Sequence, residues 1–398
     1  MGLGDPAAGG AGKLPRSRSR IPTKIVLPAA TLFLTVVLLI ALGWSSLAAQ
    51  ARAVVVLSSV LETPVLVSGA EALTGEPRLE EATVAGNPAL VARPAGEGPW
   101  PAIFLVNGAV PEGRKLPEIQ RLAQGLARAG YLVVVPDLPG LREATITPET
   151  ADETLEVART VSGWREARDG KVGLVGVSTG ASLALLAAER DGLNGRVSVV
   201  AGVAPYADIE TLLSIATTAH YEKNGEMVPY EAAPFLAYAS ARSLISALPP
   251  GEDRATLLSE MDRVDRTDPE PLSALRERPT GDLGPQARSV VELLANEDPG
   301  RFDELYAKLP QGVHEDLEEL SPVEGGGRIQ APVELVSGPH DKYFPVYESY
   351  EVLRVAPEGR VTVTDALDHA EINASLEDLR GLLELDAFVV RSLRDARA

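Results

Sequence analysis

Ser178, Asp341 and His369 stand far apart in the chain, yet their residue types suit covalent acyl chemistry. Ser178 lies in Gly176-Val177-Ser178-Thr179-Gly180, between an apolar run and the small-residue pattern ASLALLAA. That is Gly-x-Ser-x-Gly in a strand–turn–helix context. A turn this tight strains the serine backbone and leaves no room for side chains at either flank, so glycine at 176 and 180 forms the elbow. A hydroxyl is a poor nucleophile near neutral pH and needs a base within reach and a carboxylate to orient that base. The chain has four histidines, His220, His314, His340 and His369. His369 follows the strand-like run VTVT in a short loop, and Asp341 follows the strand-like run APVELVSG. His340 precedes the carboxylate and reads as a loop residue. His220 and His314 lack any metal-ligand spacing, so no metal site is expected. Asp208, after the strand VSVVAGVAP, is the rival acid, whereas Asp365 and Asp368 are too local to His369. The plainer alternative is a glycine-bearing turn with an incidental serine.

Elements that could position these residues recur with a clear rhythm. RLEEATVAG and NPALVARP read as a hairpin, AIFLVNGA as a buried strand, LPEIQRLAQGLARAG as a helix and YLVVVPD as the next strand. A helix over about 150–167 precedes the strand that ends at Ser178, and strands alternating with helices predict parallel βαβ units. After Ala207 the rhythm breaks. Residues 208–327 read as amphipathic helices without a clear buried strand, are rich in acidic residues, and form too long a segment for a structureless loop. The insertion leaves from the carboxyl edge of the sheet, where ligands bind, so it is expected to be a lid rather than a surface decoration. The α/β pattern resumes at 328–398.

Taken together, PWPAIFLVNGA, YLVVVPDLPG, KVGLVGVSTG, LSPVEGGGRIQAPVELVSGPHDKYFP and LDHAEI resemble the α/β-hydrolase superfamily, in its esterase, dienelactone-hydrolase-like and serine-peptidase-like branch. The order Ser178, Asp341, His369 is the one this fold uses. The resemblance spans roughly Arg78–Ala207 and Leu320–Leu393. It implies an oxyanion hole made by the backbone N–H groups of Ala109 and Thr179. Departures are Asn107-Gly108 where relatives carry His-Gly, Ala181 where many have a second glycine, and serine where dienelactone hydrolases use cysteine. The expected fold class is α/β, an α/β-hydrolase mostly parallel sheet with a helical cap insertion, preceded by one N-terminal transmembrane helix.

That last expectation comes from the front of the chain. Residues 1–24 read as a disordered basic tail, 25–46 as a transmembrane anchor, 47–77 as a juxtamembrane connection, and 78–207 as the first part of the core. The apolar stretch IVLPAATLFLTVVLLIALGW is long enough to cross a bilayer, follows a basic flank and ends near an interfacial Trp44. It exceeds the apolar region of a cleaved signal peptide, although Ala49-Gln50-Ala51 or Ala51-Arg52-Ala53 could serve as a cleavage site. The expected topology is single-pass, with the N-terminus cytoplasmic and the catalytic domain outside; secretion after cleavage is the alternative.

Composition narrows the chemistry further. At 398 residues and 45 % apolar content the chain can bury a large core. With no cysteine, disulfides, thiolate zinc sites and a cysteine nucleophile are excluded. A net charge of −19 argues against nucleic-acid partners, which need basic surface. The expected activity is that of a membrane-anchored, carboxylesterase-like serine hydrolase acting on a small-molecule acyl substrate, without cofactor or metal. Peptide cleavage or acyl transfer by the same triad, and an inactive binding scaffold, are the alternatives.

Overall fold

The runs WPAIFLV, LVVVP and VELVS have no polar face, and each is buried along its whole length. Strands of this kind belong inside a parallel sheet covered on both sides. The computed structural model describes residues 47–60, 74–325, 329–372 and 379–398. The chain divides into Met1–Ala48 and Ala49–Ala398, and the architecture below is that of the second unit.

In chain order the strands are β1 (Arg78–Val84), β2 (Asn87–Arg93), β3 (Trp100–Val106), β4 (Leu132–Pro136), β5 (Ala167–Val177), β6 (Val197–Val203), β7 (His220–Lys223), β8 (Glu226–Pro229), β9 (Val333–Ser337) and β10 (Gly359–Val363). β7 and β8 pair only with each other, and the rest form one eight-stranded sheet in the order β1-β2-β4-β3-β5-β6-β9-β10. β2 runs antiparallel to both its neighbours, and every other pairing from β4 to β10 is parallel. Alternation along β3 sorts the two faces. Ala102, Phe104 and Val106 enter one core cluster, while Ile103 and Leu105 enter the other.

Helices cover both faces. Residues 47–60 form α1, followed by α2 (Pro117–Arg128), α3 (Pro148–Ser162) and α4 (Thr179–Glu189). α2 buries Ile119, Ala123 and Leu126 beside Ile103 and Leu105, and α1 adds Ala53 and Val56 to that cluster. A Cβ on Gly125 would come within 2.9 Å of Ser59 Cβ and 3.3 Å of Val56 Cα, so glycine there lets α1 lie close on α2. α3 and α4 fill the opposite face through residues such as Val157, Val161, Leu183 and Leu185.

The front of the chain needs a correction. The spanning helix expected over 25–46 lies outside the described residues, and among the described residues no helix is long and apolar enough to cross a membrane. Residues 49–60, expected to be a connection beside the bilayer, instead spend their apolar side chains on α2 and the sheet. Gln50 Nε2 also donates to Asp386 Oδ2 near the chain's end at 2.6 Å. Hydrophobic content by itself does not say whether lipid or protein covers it. The transmembrane element of the expected fold, the anchored activity, the membrane as partner and the single-pass location have no helix among the described residues to support them.

Between β6 and β9 the chain builds a second layer over the carboxyl edge. Its main helices are α5 (Ile209–Thr218), α6 (Pro234–Ser246), α7 (Glu252–Met261), α8 (Pro285–Leu294) and α9 (Gln311–Glu319). They enclose their own core, which includes Leu244, Leu257, Met261, Val290, Leu294, Val313 and Leu317. The β7–β8 hairpin is the element that an all-helical reading of this segment missed. Its turn, Asn224-Gly225, has φ of 53° and 83°, and Asn-Gly is the residue pair that such a hairpin turn favours. Where the segment leaves and re-enters the core, the two crossings touch. Val323 N donates to Ala207 O at 3.2 Å, and Ile209 N donates to Ser321 Oγ at 3.1 Å. Two further helices complete the core, α10 (Val346–Val355) and α11 (Leu379–Asp395).

Candidate active site

Ser178 sits at the junction of β5 and α4 with φ 55° and ψ −131°, a strained conformation for a residue with a side chain. The flanking glycines leave no alternative. A Cβ on Gly176 would overlap the Gly180 carbonyl oxygen and the Ala181 backbone, and one on Gly180 would overlap the carbonyl oxygens of Val106 and Asn107. Gly180→Ala is therefore expected to destabilise the protein by about 3 kcal/mol, the upper end for overpacking, because backbone gives way less than side chains. Thermal melts beside activity assays check this; an unshifted melting temperature would contradict it.

The elbow presents the hydroxyl to a histidine. Ser178 Oγ lies 2.8 Å from His369 Nε2, and His369 Nδ1 lies 2.8 Å from Asp341 Oδ2. Asp341 follows β9 and is buried, and its Oδ1 accepts the backbone N–H groups of Tyr343 at 2.7 Å and Phe344 at 3.0 Å. With Oδ1 committed to two donors, the carboxylate is fixed as an acceptor facing Nδ1. His369 occupies the tip of a small hairpin, β11 (Leu367–Asp368) with β12 (Glu371–Ile372), at φ 54°. A Cβ on Gly338 would overlap the Leu367 carbonyl oxygen, so this glycine lets the acid loop and the histidine loop meet.

The backbone N–H groups of Ala109 and Thr179 find no acceptor among the described residues. Thr179 opens α4, so its amide also carries the positive end of the helix dipole. The loop beside Ala109 is braced by Asn107, whose Oδ1 accepts Gly108 N at 2.8 Å and whose Nδ2 donates to Gly113 O at 2.9 Å. Asn107, where relatives carry histidine, thus holds the loop from within. Below it Asp137 accepts Arg114 N at 2.7 Å and pairs with the Arg114 guanidinium.

A family model described as "Alpha/beta hydrolase family" matches residues 103–369. The chain belongs to that family. This α/β hydrolase is a serine-hydrolase-like enzyme. No curated protein matches the chain. Among solved structures, a 2,6-dihydroxy-pseudo-oxynicotine hydrolase is similar at 17 % identity and TM-score 0.46, covering 82 % of this chain and 71 % of that one. A bacterial membrane phospholipase A is similar at 17 % identity and TM-score 0.43, over 93 % of this chain and 99 % of that one. The proline iminopeptidase of Mycobacterium smegmatis is similar at 17 % identity and TM-score 0.41, over 80 % and 99 %.

The other candidate residues of the hydrolase lie elsewhere. Asp208 caps α5, its Oδ1 accepting Glu210 N at 2.9 Å and Ser321 Oγ at 3.3 Å, and it makes no bond to His369. His340 is exposed beside Asp341, and Asp365 and Asp368 are exposed near His369. His220 Nδ1 is 2.8 Å from Thr218 O, and the His314 ring packs edge-on against Tyr306 at 4.9 Å.

Sequence reading missed the aromatic wall of the hydrolase site. Tyr343 lies against the His369 ring at 4.3 Å between centroids, and Phe344 meets it edge-on at 5.6 Å. Phe235 of α6 reaches Tyr343 at 6.5 Å. Tyr230 OH donates to the Asp341 carbonyl oxygen at 2.6 Å, and Ala233 N donates to Lys342 O at 2.6 Å. The run Tyr343-Phe344, one residue beyond the acid, was the available signal, since flat apolar rings pack well against an imidazole.

Glu348 of α10 is also outside the triad but structurally central. Fully buried, it accepts Ala207 N at 2.8 Å and Asp208 N at 3.0 Å through Oε2. Burial, reinforced by Asp208 and Glu351, pushes its carboxyl up to about 8. A carboxyl raised on folding holds its proton in the native state, so the stability linked to it is lost as pH climbs from the ordinary carboxylate range to about 8. A tenfold change in proton affinity on folding is worth about 1.4 kcal/mol, so the decline is expected to reach a few kcal/mol. Glu348→Gln should flatten the melting temperature over that interval; an unchanged slope would assign the decline to other groups.

Proposed function

We propose that this protein hydrolyses carboxylic esters of small acyl substrates through Ser178, with His369 as the base, Asp341 as its orienting acid, and the amides of Ala109 and Thr179 as the oxyanion hole. The observation that carries the reading is the continuous hydrogen-bonded line Ser178–His369–Asp341.

With the Asp341 carboxylate facing Nδ1, the neutral imidazole carries its proton on Nδ1 and accepts the Ser178 hydroxyl proton on Nε2. Oγ then adds to the ester carbonyl, and the carbonyl π pair moves onto oxygen. The amides of Ala109 and Thr179 face that developing charge, and each such donor is worth about 3 kcal/mol of barrier. His369, now protonated at both nitrogens, returns a proton to the departing alkoxide, leaving an acyl ester on Ser178. Water attacks this ester, its proton passing to Nε2, and collapse of the second tetrahedral intermediate restores the serine hydroxyl and frees the acid. The layer built on residues 208–327 is the proposed lid. Its Tyr230 and Ala233 bond the loop that carries Asp341, and Phe235 touches the ring beside His369.

Labelling with a fluorophosphonate probe, paired with initial rates on p-nitrophenyl esters of rising chain length, tests this reading. One label per chain on Ser178 and turnover falling off beyond a limiting acyl length are expected. Labelling without turnover of any ester, but with release from aminoacyl amides, would move the reading to peptide chemistry. No labelling would point to a binding scaffold.

A further inference from the structure

A cleft of about 570 Å³ opens where the α5 segment leaves the core, and Ser178, Asp341 and His369 do not line it. Its walls carry the carboxyl groups of Asp208, Glu210, Glu222, Asp303 and Glu351. Arg354 is the basic side chain on the wall, and it is engaged with Glu351. Buried Glu348 lies on the floor. Its Oε2 is satisfied by two backbone amides, but its Oε1 has no hydrogen-bond partner among the described residues. A buried carboxyl oxygen without a donor costs free energy that a ligand's N–H groups would recover. Met227, Phe302, Val323, Val355 and the Tyr347 ring supply apolar lining beside Thr211, Ser214 and Glu324.

We infer that this cleft binds an organic molecule bearing an ammonium group, its charged head on Glu348 and the surrounding carboxylates and its carbon body against Met227, Phe302 and Tyr347. The dimensions favour an organic cation over a bare ion, because a cavity of this size matches small-molecule sites. No group of three or more potential metal ligands is present among the described residues. Burial and the neighbouring acids push Glu210 up to about 7 as well as raising Glu348, so the empty cleft stores protons that an incoming cation displaces. Occupancy has a structural route outward. Glu348 bonds the backbone at Ala207 and Asp208, and its helix α10 starts just beyond the loop that carries Asp341.

Isothermal titration of the full chain with 1,4-diaminobutane and with butylammonium, against 1-butanol and sodium chloride of matched ionic strength, tests the inference. Saturable binding of one equivalent of amine is expected, with no binding of butanol and no equivalent heat from salt. Glu348→Gln should weaken amine binding about tenfold or more, since a charge-assisted hydrogen bond is lost. Glu210→Gln, which removes no backbone contact of Glu348, should weaken it too and keeps the test decisive if the first variant does not fold. Absence of saturable amine binding, parental affinity in both variants, or reproduction of the effect by salt would overturn the inference.

Discussion

Ser178→Ala protein is expected to fold, to lose fluorophosphonate labelling completely, and to hydrolyse esters no faster than a residual background. The substitution deletes only Oγ from an elbow whose shape is set by Gly176 and Gly180, and alanine keeps the Cβ and the same strain at a φ of 55°, so the melting temperature should hold. The drop in kcat should be on the order of 10⁴–10⁶, because nucleophile and base act as one unit and the oxyanion donors supply the remainder. His369→Ala should fall into the same range for that reason, and the double variant should be little worse than either alone. Pre-steady-state bursts in the parent protein and their absence in both variants would report the acyl-enzyme directly. A folded Ser178→Ala protein that keeps near-parental turnover would remove the mechanism, and additive losses in the double variant would show that Ser178 and His369 work separately.

Asp341→Asn is expected to cost about two to four orders of magnitude in kcat, whereas Asp208→Asn should leave kcat near its parental value. The amide at 341 can turn its NH₂ toward His369 Nδ1, which reverses the tautomer and leaves Nε2 protonated against the serine. The two backbone amides from Tyr343 and Phe344 favour that arrangement, since they hold the asparagine oxygen at the Oδ1 position and leave the NH₂ facing Nδ1. At 208 the carboxylate serves α5 as its cap, and asparagine fills a cap equally well. Steady-state kinetics across pH, with thermal melts alongside, separate the two effects. A crippled Asp208→Asn beside a mild Asp341→Asn would transfer the orienting role to the cap residue.

The two aspartates show where sequence reasoning reached its limit. Each follows a buried strand on the same sheet edge, and only the meeting of the acid loop with the β11–β12 hairpin distinguishes them. The strands themselves were easy to read, because WPAIFLV and VELVS have no face that could meet water. Residues 78–84 and 87–93 announced their hairpin through alternation and an Ala85-Gly86 turn. β7 and β8 escaped because they are short and mostly exposed, so the burial pattern that marks a strand is missing and only Asn224-Gly225 remains as a sign. The hydrogen bond from Tyr230 to a backbone carbonyl leaves no trace in residue types, because any residue at 341 would offer the same acceptor. Residues 49–60 misled for a different reason: they read only as a connection after the expected anchor, and a short run of alanine and valine does not announce that it will pack on α2.

The two crossings between the core and the layer above it lie side by side, joined by Val323 to Ala207 and by Ile209 to Ser321. A segment whose ends already touch behaves as a cassette. Exchanging it for a shorter or longer one changes the entropy of closing the chain only slowly, by about 0.6 kcal/mol for each doubling of length. The sheet, the elbow and the histidine hairpin are built from residues before Asp208 and after Ser321, so recombination at this one seam can replace the roof over the reacting groups and leave their framework intact. New chemistry of recognition could thus be acquired in a single genetic event, without renegotiating the packing that holds Ser178 in place.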